Sequence, residues 1–209
     1  SPEEMAERLG DIGITADDTI VVVSDLVQWA TYAYWVFKLC GVRNLKVLDI
    51  VQPLWIDEGY PTTSSTPRFE SAEYEPGDPD PSIRVGRRDV RENLDNDDRL
   101  LLDNRSPEEY SGERVNWSGA EFDHGAQIYG RIPGAKHLWY RELLHEDDRY
   151  PEVDEIRDRL KLLGIDIEKE DREIVTYCRL SHRASFLWFV LTHLLDYDDA
   201  KVYDGSWTE

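Results

Sequence analysis

The stretch from Glu173 to Leu191 constrains the fold of this chain more than any other. It opens with a short β-branched run that ends at Cys178 and continues through a six-residue loop rich in cationic side chains. An apolar stretch at helical spacing, from Ala184 to Leu195, follows the loop. This pattern predicts a strand, a loop and a helix, with a thiol where the strand meets the loop.

The predicted position of Cys178 favours reactivity. In open α/β sheets, ligands bind at the carboxyl ends of the strands. Loop N–H groups and the start of the helix near Arg183 would converge on the sulfur, and Arg179 and Arg183 add positive charge. Each of these favours the thiolate, which is the nucleophilic form. We therefore interpret Cys178 as a reactive cysteine and not as a buried, inert one.

The chain has a strong negative charge. Among its 209 residues, 44 are acidic and 24 basic, for a net charge of −20, and only six are lysines. Such a surface would repel nucleic acid and anionic membranes. We interpret it as the solvated surface of a protein from a high-salt cytoplasm. No membrane span or signal peptide is recognised, so we expect a soluble, cytoplasmic protein.

The two cysteines are interpreted separately. Cys40 ends a helical pattern and is expected to be a core or helix-end residue, so we predict no disulfide with Cys178. Neither cysteine has a histidine or a second cysteine at ligand spacing, so no metal site is predicted.

The chain contains an internal repeat. Laying residues 20–36 over residues 173–189 puts Trp35 on Trp188 and Asp25 on Cys178. Each copy predicts a strand, a loop, a helix and a further strand, and only the second copy has the thiol. We expect Asp25 to cap the helix that follows it.

Strands alternate with helices along the rest of the chain. Residues 99–103 predict a strand, Ser106 an N-cap, and residues 152–163 an amphipathic helix. A long polar loop at 112–130, with Trp117 and His124, is expected to be functional or mobile. The alternation predicts an α/β fold with a parallel sheet flanked by helices.

Four stretches resemble the rhodaneses, which are thiosulfate sulfurtransferases. Residues 178–183 resemble their six-residue active-site loop, and residues 203–209 are similar to the end of their catalytic domain. Residues 102–112 and 131–135 also agree, in the family's order. The resemblance covers nearly the whole chain and implies a tandem rhodanese, with two rhodanese-like domains, the first inactive and often with Asp at the cysteine's position.

The predicted division of the chain follows from the repeat and from composition. We expect a partial, inactive rhodanese-like domain at 1–67, a Pro-rich linker at 68–82 and a catalytic rhodanese domain at 83–209. The second copy has far more chain ahead of its strand than the first, and no initiator methionine is present. We therefore expect the first domain to lack its N-terminal half and to expose sheet edges and apolar faces.

The resemblance implies a mechanism without cofactor or metal. The Cys178 thiolate attacks the outer sulfur of thiosulfate, sulfite leaves, and a persulfide remains for cyanide or a thiol to accept. Substrate binding would fall to the loop and to Arg105, which follows a strand's carboxyl end. Arg105 has two open interpretations, an anion contact or a structural ion pair. The loop residues implied in binding are Arg179, Leu180, Ser181, His182 and Arg183.

Three further positions are compared with the family's pattern. Glu109 falls near a position where relatives have a substrate-contacting arginine. Ser181 replaces a frequent glycine, and a positive φ there would cost about 1–2 kcal/mol, although its hydroxyl could donate to substrate. His182 is expected to be solvated.

Three other functions remain alternatives. Phosphatases and arsenate reductases of this fold have an arginine six residues after the cysteine, whereas Arg183 is five residues on. The smaller loop favours sulfur transfer. Mercaptopyruvate sulfurtransferases usually have glycine where this chain has Arg179, so the thiosulfate type is favoured. The protein could also be a persulfide carrier or an interaction module for a partner protein.

Overall fold

A computed structural model describes residues 1–116 and 126–209 of the chain. The chain forms two compact units, Ser1–Pro81 and Ser82–Glu209, and each is described by itself. Trp117 and His124, in the predicted long loop, lie outside the described residues.

The first unit begins with a capped helix. The Ser1 hydroxyl accepts the Glu4 N–H, and the Glu4 carboxylate accepts from the Ser1 amine, which together form a capping box. The helices and strands of this unit are α1 (Pro2–Asp11), β1 (Ile20–Val22), α2 (Val27–Leu39), β2 (Leu45–Val47) and α3 (Gln52–Asp57). The two strands pair in parallel, with Ile20 opposite Leu45.

The predicted cap at Asp25 is wrong. Helix α2 begins at Val27, with Leu26 in the N-cap position and no side-chain hydrogen bond at that cap. Asp25 lies one residue before the N-cap position, where a carboxylate cannot accept the first helical N–H groups in the usual way.

The segment predicted as a linker runs along the first unit. The Ala72 N–H donates to the Gly10 carbonyl at 2.8 Å, and the Gly77 N–H donates to the Gly41 carbonyl at 2.7 Å. A Cβ at Gly41, where φ is +77°, would lie 2.3 Å from the Gly77 oxygen. Tyr74 is buried among Leu9 and Val42. Backbone contacts at glycines and the buried Tyr74 side chain hold this segment in place.

The second unit contains a five-stranded parallel sheet flanked by helices, as the alternation of elements predicted. Its strands are β3 (Arg84–Val85), β4 (Arg99–Asp103), β5 (Lys136–His137), β6 (Glu173–Tyr177) and β7 (Ala200–Tyr203), in the order β3-β7-β6-β4-β5. Its α-helices are α4 (Arg87–Glu92), α5 (Pro107–Ser111), α6 (Val153–Leu162) and α7 (His182–Phe189). Within the described residues, 3₁₀ turns lie at Pro81–Ile83, Tyr140–Leu143 and Ser206–Thr208.

Strand β6 lies at the centre of this sheet. It pairs with β4, where Asp103 is opposite Tyr177, and with β7, where Thr176 is opposite Val202. Its side chains from Ile174 to Tyr177 are buried, as a strand covered on both faces requires. Because all three strands are parallel, the residues that follow them meet at one edge of the sheet.

Helix α7 covers one face of β6. The Thr176 hydroxyl donates to the Ala184 carbonyl at 3.0 Å, and the Trp188 indole N–H donates to the Ala200 carbonyl at 3.1 Å. The helix begins at His182 and widens into a π-helical turn over Val190–Leu194, within the stretch predicted as one α-helix. The Thr192 hydroxyl donates to the Trp188 carbonyl at 2.9 Å beside this change of pitch.

The two copies of the repeat share a local structure. Each has a strand, a loop and a helix, and the next strand pairs in parallel with the first. Trp35 and Trp188, which the repeat aligns, are both buried. Across residues 1–116 and 126–209, none of the helices has the length and apolar character needed to span a membrane.

The packing of β4 yields a first prediction. Leu102 is fully buried, so Leu102→Ala removes apolar contacts and leaves a cavity, and we expect the free energy of unfolding to fall by about 3 kcal/mol. Leu162→Ala is the matched control, because that side chain is 87 % exposed, and its effect should stay within about 0.5 kcal/mol. Urea denaturation measures both. Equal effects of the two variants would contradict the assigned burial.

Candidate active site

Cys178 lies directly after the carboxyl end of β6. It is a free thiol, and the residue is 1 % exposed. The loop residues that the sequence grouped with it follow at the same edge of the sheet, and the last two, His182 and Arg183, form the first turn of α7. Arg179 is buried and Leu180 is half-buried beside the cysteine.

The chain's C-terminal segment holds the backbone of Cys178 on both sides. The Cys178 N–H donates to the Ser206 hydroxyl at 3.2 Å, and that hydroxyl donates to the Tyr203 carbonyl at 2.9 Å. The Trp207 N–H donates to the Cys178 carbonyl at 3.0 Å. Ser206 has φ of 54°, which is uncommon for a residue with a side chain. The sequence similarity of residues 203–209 to the end of the family's catalytic domain pointed to this segment. It did not indicate that the Ser206 hydroxyl accepts the Cys178 N–H.

Ser181 stands where the family frequently has glycine, and it adopts a positive φ. Its φ is 70°, and its carbonyl accepts the Ser185 N–H at 2.7 Å in the first turn of α7. Its hydroxyl donates to the backbone carbonyl of Asp204 and lies 3.3 Å from that residue's Oδ1. The hydroxyl therefore anchors the loop to the end of β7.

The His182 side chain is half-buried, not solvated as expected. Burial, and then the neighbouring charge of Arg183, lower its pKa to about 4, although Asp204 acts in the opposite direction. The imidazole is therefore neutral at pH 7, and it adds no positive charge to the loop.

Arg183 forms a buried ion pair with Glu109. Its Nη1 donates to Oε2 at 2.6 Å and its Nη2 to Oε1 at 3.0 Å, so the contact is bidentate. Glu109 Oε2 also accepts the Ser106 N–H at 3.0 Å, which closes the capping box of α5. Sequence reasoning placed the Ser106 cap but did not identify the pair, whose partners lie 74 residues apart.

The two partners shift each other's pKa. Burial disfavours the charged form of Glu109, but the Arg183 guanidinium outweighs burial and holds the pKa of that carboxyl below its usual range. Burial likewise opposes the charge on Arg183, and the hydrogen bonds to Glu109 together with negative charge at Cys178 raise its pKa. Both partners are therefore charged at neutral pH.

Arg105 lies in a second buried ion pair. Its Nε and Nη2 contact both oxygens of Asp103, at 2.6–3.1 Å, and Nη2 also donates to the Gly130 carbonyl at 2.7 Å. Its guanidinium stacks over the rings of Trp207, at 4.6 Å, and Tyr177, at 5.8 Å. The side chain is fully buried. Of the two open interpretations, this geometry matches the structural ion pair.

The arrangement is suited to nucleophilic chemistry at one sulfur. Cys178 stands at the base of a short, hydrogen-bonded loop at the carboxyl edge of a parallel sheet, where ligands approach. The loop is fixed at Cys178 by Ser206 and Trp207, at Ser181 by Asp204, and at Arg183 by Glu109.

Known proteins match both the sequence and the fold. The family model for the rhodanese-like domain matches residues 87–209. The chain is 38 % identical over 213 residues to the sulfur carrier protein TtuD of Thermus thermophilus, of which it covers 73 %. It is also 38 % identical over 208 residues to a Haloferax volcanii protein with the name "Putative thiosulfate sulfurtransferase", of which it covers 71 %.

Solved structures of EanB have the same fold. EanB in complex with ergothioneine superposes with a TM-score of 0.83 at 27 % identity, over all of this chain. A persulfide form of EanB, in a tetrahedral intermediate state with ergothioneine, superposes equally well at 25 % identity. The chain spans 52 % of the length of the first EanB structure. The family match over residues 87–209, together with relatives matched over nearly the whole chain, shows that the chain belongs to the rhodanese family of sulfurtransferases.

Proposed function

We propose that this protein is a thiosulfate sulfurtransferase that works through a persulfide on Cys178. The observation that supports this most is the short loop between β6 and α7, with Cys178 at its base and Arg183 five residues on. A loop of this length surrounds a single sulfur atom more closely than a tetrahedral oxyanion. Arg179 beside the cysteine favours thiosulfate over 3-mercaptopyruvate as the donor.

The proposed reaction is a double displacement. The Cys178 thiolate attacks the outer sulfur of thiosulfate, the S–S bond of thiosulfate breaks, and sulfite leaves with its electron pair. The resulting persulfide then loses its outer sulfur to cyanide, which becomes thiocyanate, or to a thiol, which becomes a persulfide. The Cys178 thiolate is regenerated, and no net oxidation occurs.

The anionic donor needs local stabilisation in this scheme. We assign it to Arg179 and to the N–H groups of the loop after Cys178, because the Cys178 N–H is already bonded to Ser206. Leu180 would form an apolar wall, and Ser181 and His182 would hold the loop shape through Asp204 and burial.

The proposal includes the finer organisation expected from the sequence. Residues 83–209 would be the catalytic domain of a tandem rhodanese, residues 1–67 an inactive rhodanese-like domain and residues 68–82 the connection between them. The acidic composition supports a high-salt cytoplasm as its setting.

The persulfide cycle is tested by intact mass spectrometry after incubation with thiosulfate. We expect a gain of one sulfur that requires Cys178 and disappears on addition of cyanide, because only the thiolate can accept and release the sulfane sulfur. Cys178→Ser should take up no sulfur, whereas Cys40→Ser should behave as the wild type. No gain in the folded wild-type protein at low or high salt would contradict the thiosulfate proposal, and a gain with 3-mercaptopyruvate alone would change the donor.

A second candidate function is that of a persulfide carrier for a partner protein. The 38 % identity to a protein named as a sulfur carrier favours it. Protein loaded with ³⁵S at Cys178 distinguishes the two. For a general sulfurtransferase, we expect rapid discharge to cyanide and to small thiols. Slow discharge to both, with fast and saturable transfer to one protein thiol, would favour the carrier.

The role of Arg105 is tested by Arg105→Gln. This substitution leaves Asp103 buried without its cation, so we expect the free energy of unfolding to fall by about 3–5 kcal/mol. The KM for thiosulfate should change little, because the guanidinium is enclosed by Asp103, Gly130 and Trp207. Arg131→Gln, at an exposed arginine stacked on Tyr110, is the control and should change neither quantity. A large rise in KM at full stability would instead support substrate contact by Arg105.

A further inference from the structure

The Glu109 carboxylate is hydrogen-bonded on both of its oxygens at the end of the loop. It accepts two hydrogen bonds from Arg183 and one from the Ser106 N–H, and its side chain is fully buried. A buried carboxylate with three donors is held in one orientation. Helix α5 and the start of α7 are thereby joined through a rigid, charged contact.

The contact between Glu109 and Arg183 also affects the Cys178 thiol, because Arg183 lies at the end of the loop that begins at Cys178. Arg183 is in the first turn of α7, five residues after Cys178, and negative charge at Cys178 acts on it. Arg105 also lowers the pKa of Glu109, and Tyr140 also raises that of Arg183. His182 beside Arg183 is neutral at pH 7, and Asp204 acts on it. Arg183 and Glu109 are therefore two opposed, fixed charges at this end of the loop.

The geometry also restricts what Arg183 can do. Both of its terminal nitrogens are directed at Glu109, at 2.6 and 3.0 Å. A guanidinium that donates two parallel hydrogen bonds to one carboxylate cannot use the same pair of N–H groups to bind a second anion in the bidentate mode. The paired Glu109 carboxylate also reduces the positive potential that Arg183 contributes at the loop.

We propose that Glu109 is a positioning residue, which holds Arg183 as the anchor of the loop's end and sets the electrostatic field at the Cys178 sulfur, instead of leaving Arg183 to bind the donor. The proposal deepens the sulfurtransferase function and rests on it. The sequence led us to expect that Arg183 binds the substrate, whereas here it anchors the end of the loop. Glu109, which the sequence marked only as a departure from the family's pattern, holds Arg183 in place.

The test compares Glu109→Gln with the wild type. Glutamine has the same shape, but its single acceptor oxygen cannot satisfy two Arg183 N–H groups and the Ser106 N–H, so a donor would face a donor. We expect the kcat for sulfur transfer to fall by about 10- to 100-fold through displacement of the loop, while the KM for thiosulfate changes far less. Glu109→Asp retains the charge and should recover part of the loss.

A second readout does not need any sulfur donor. The rate of Cys178 alkylation by iodoacetamide, mapped by peptide mass spectrometry, is followed against pH. In Glu109→Gln the Arg183 charge is no longer compensated, so the profile of Cys178 should move to lower pH. A merely structural role would leave this profile in place in the folded variant. If the wild type takes up no sulfur from thiosulfate, the proposed function fails and the alkylation profile still decides the role of Glu109.

Glu108→Gln is the matched control. Glu108 stands on the same helical turn and pairs with Arg114 at the surface, at 2.9 Å, so kcat and the alkylation profile should both equal those of the wild type. A folded Glu109→Gln protein with wild-type kcat and profile would overturn the proposal, as would a large rise in KM with kcat unchanged. If Glu109→Gln does not fold, Glu109→Asp and Arg183→Lys decide: wild-type kcat and profile in both would equally overturn it.

Discussion

The parallel pairing of β4 with β6 is the constraint on which the rest of the second unit depends. Its register places Asp103 opposite Tyr177, and the Asn104 N–H extends the ladder by donating to the Tyr177 carbonyl at 2.9 Å. The next residues of both strands must therefore emerge side by side at one edge. Cys178 emerges from one strand and Arg105 from the other, so a thiol and charged side chains lie together in a region with little access to water.

Charge at this edge is tolerated because it is paired. Asp103 with Arg105 and Glu109 with Arg183 each combine full burial of a carboxylate with bidentate contact to a guanidinium. The desolvation of such groups is offset by the close partner of opposite charge and by further hydrogen bonds, from Arg105 to the Gly130 carbonyl and from the Ser106 N–H to Glu109. Each pair therefore acts as a rigid connection: the first fixes the chain after β4, and the second fixes the end of the loop that begins at Cys178.

The sequence predicted local features well, because local patterns determine them. The alternation of strands and helices, the N-cap at Ser106 and the strand at Arg99–Asp103 all follow from residues close in sequence. Features that depend on distant partners were not predictable in the same way. The Glu109 contact to Arg183 and the Ser206 contact to Cys178 join residues 74 and 28 positions apart. The Asp25 cap failed for a local reason: the helix begins at Val27, so Leu26, and not Asp25, occupies the N-cap position.

The two buried ion pairs, Asp103 with Arg105 and Glu109 with Arg183, affect how an anionic sulfur donor could approach a chain with this much negative charge. With a net charge of −20, the surface as a whole repels thiosulfate. The buried pairs contribute almost nothing to counter this, since each sums to zero, and His182 is neutral. In the proposed reaction, Arg179 and the N–H groups of the loop would act on the donor at short range, and their effect extends only a few ångströms. Salt that shortens the reach of the surface repulsion to below about 10 Å leaves these close contacts nearly unchanged. An acidic surface and a site built from short-range contacts are therefore compatible in a high-salt environment, because the unfavourable field is screened and the favourable contacts are not.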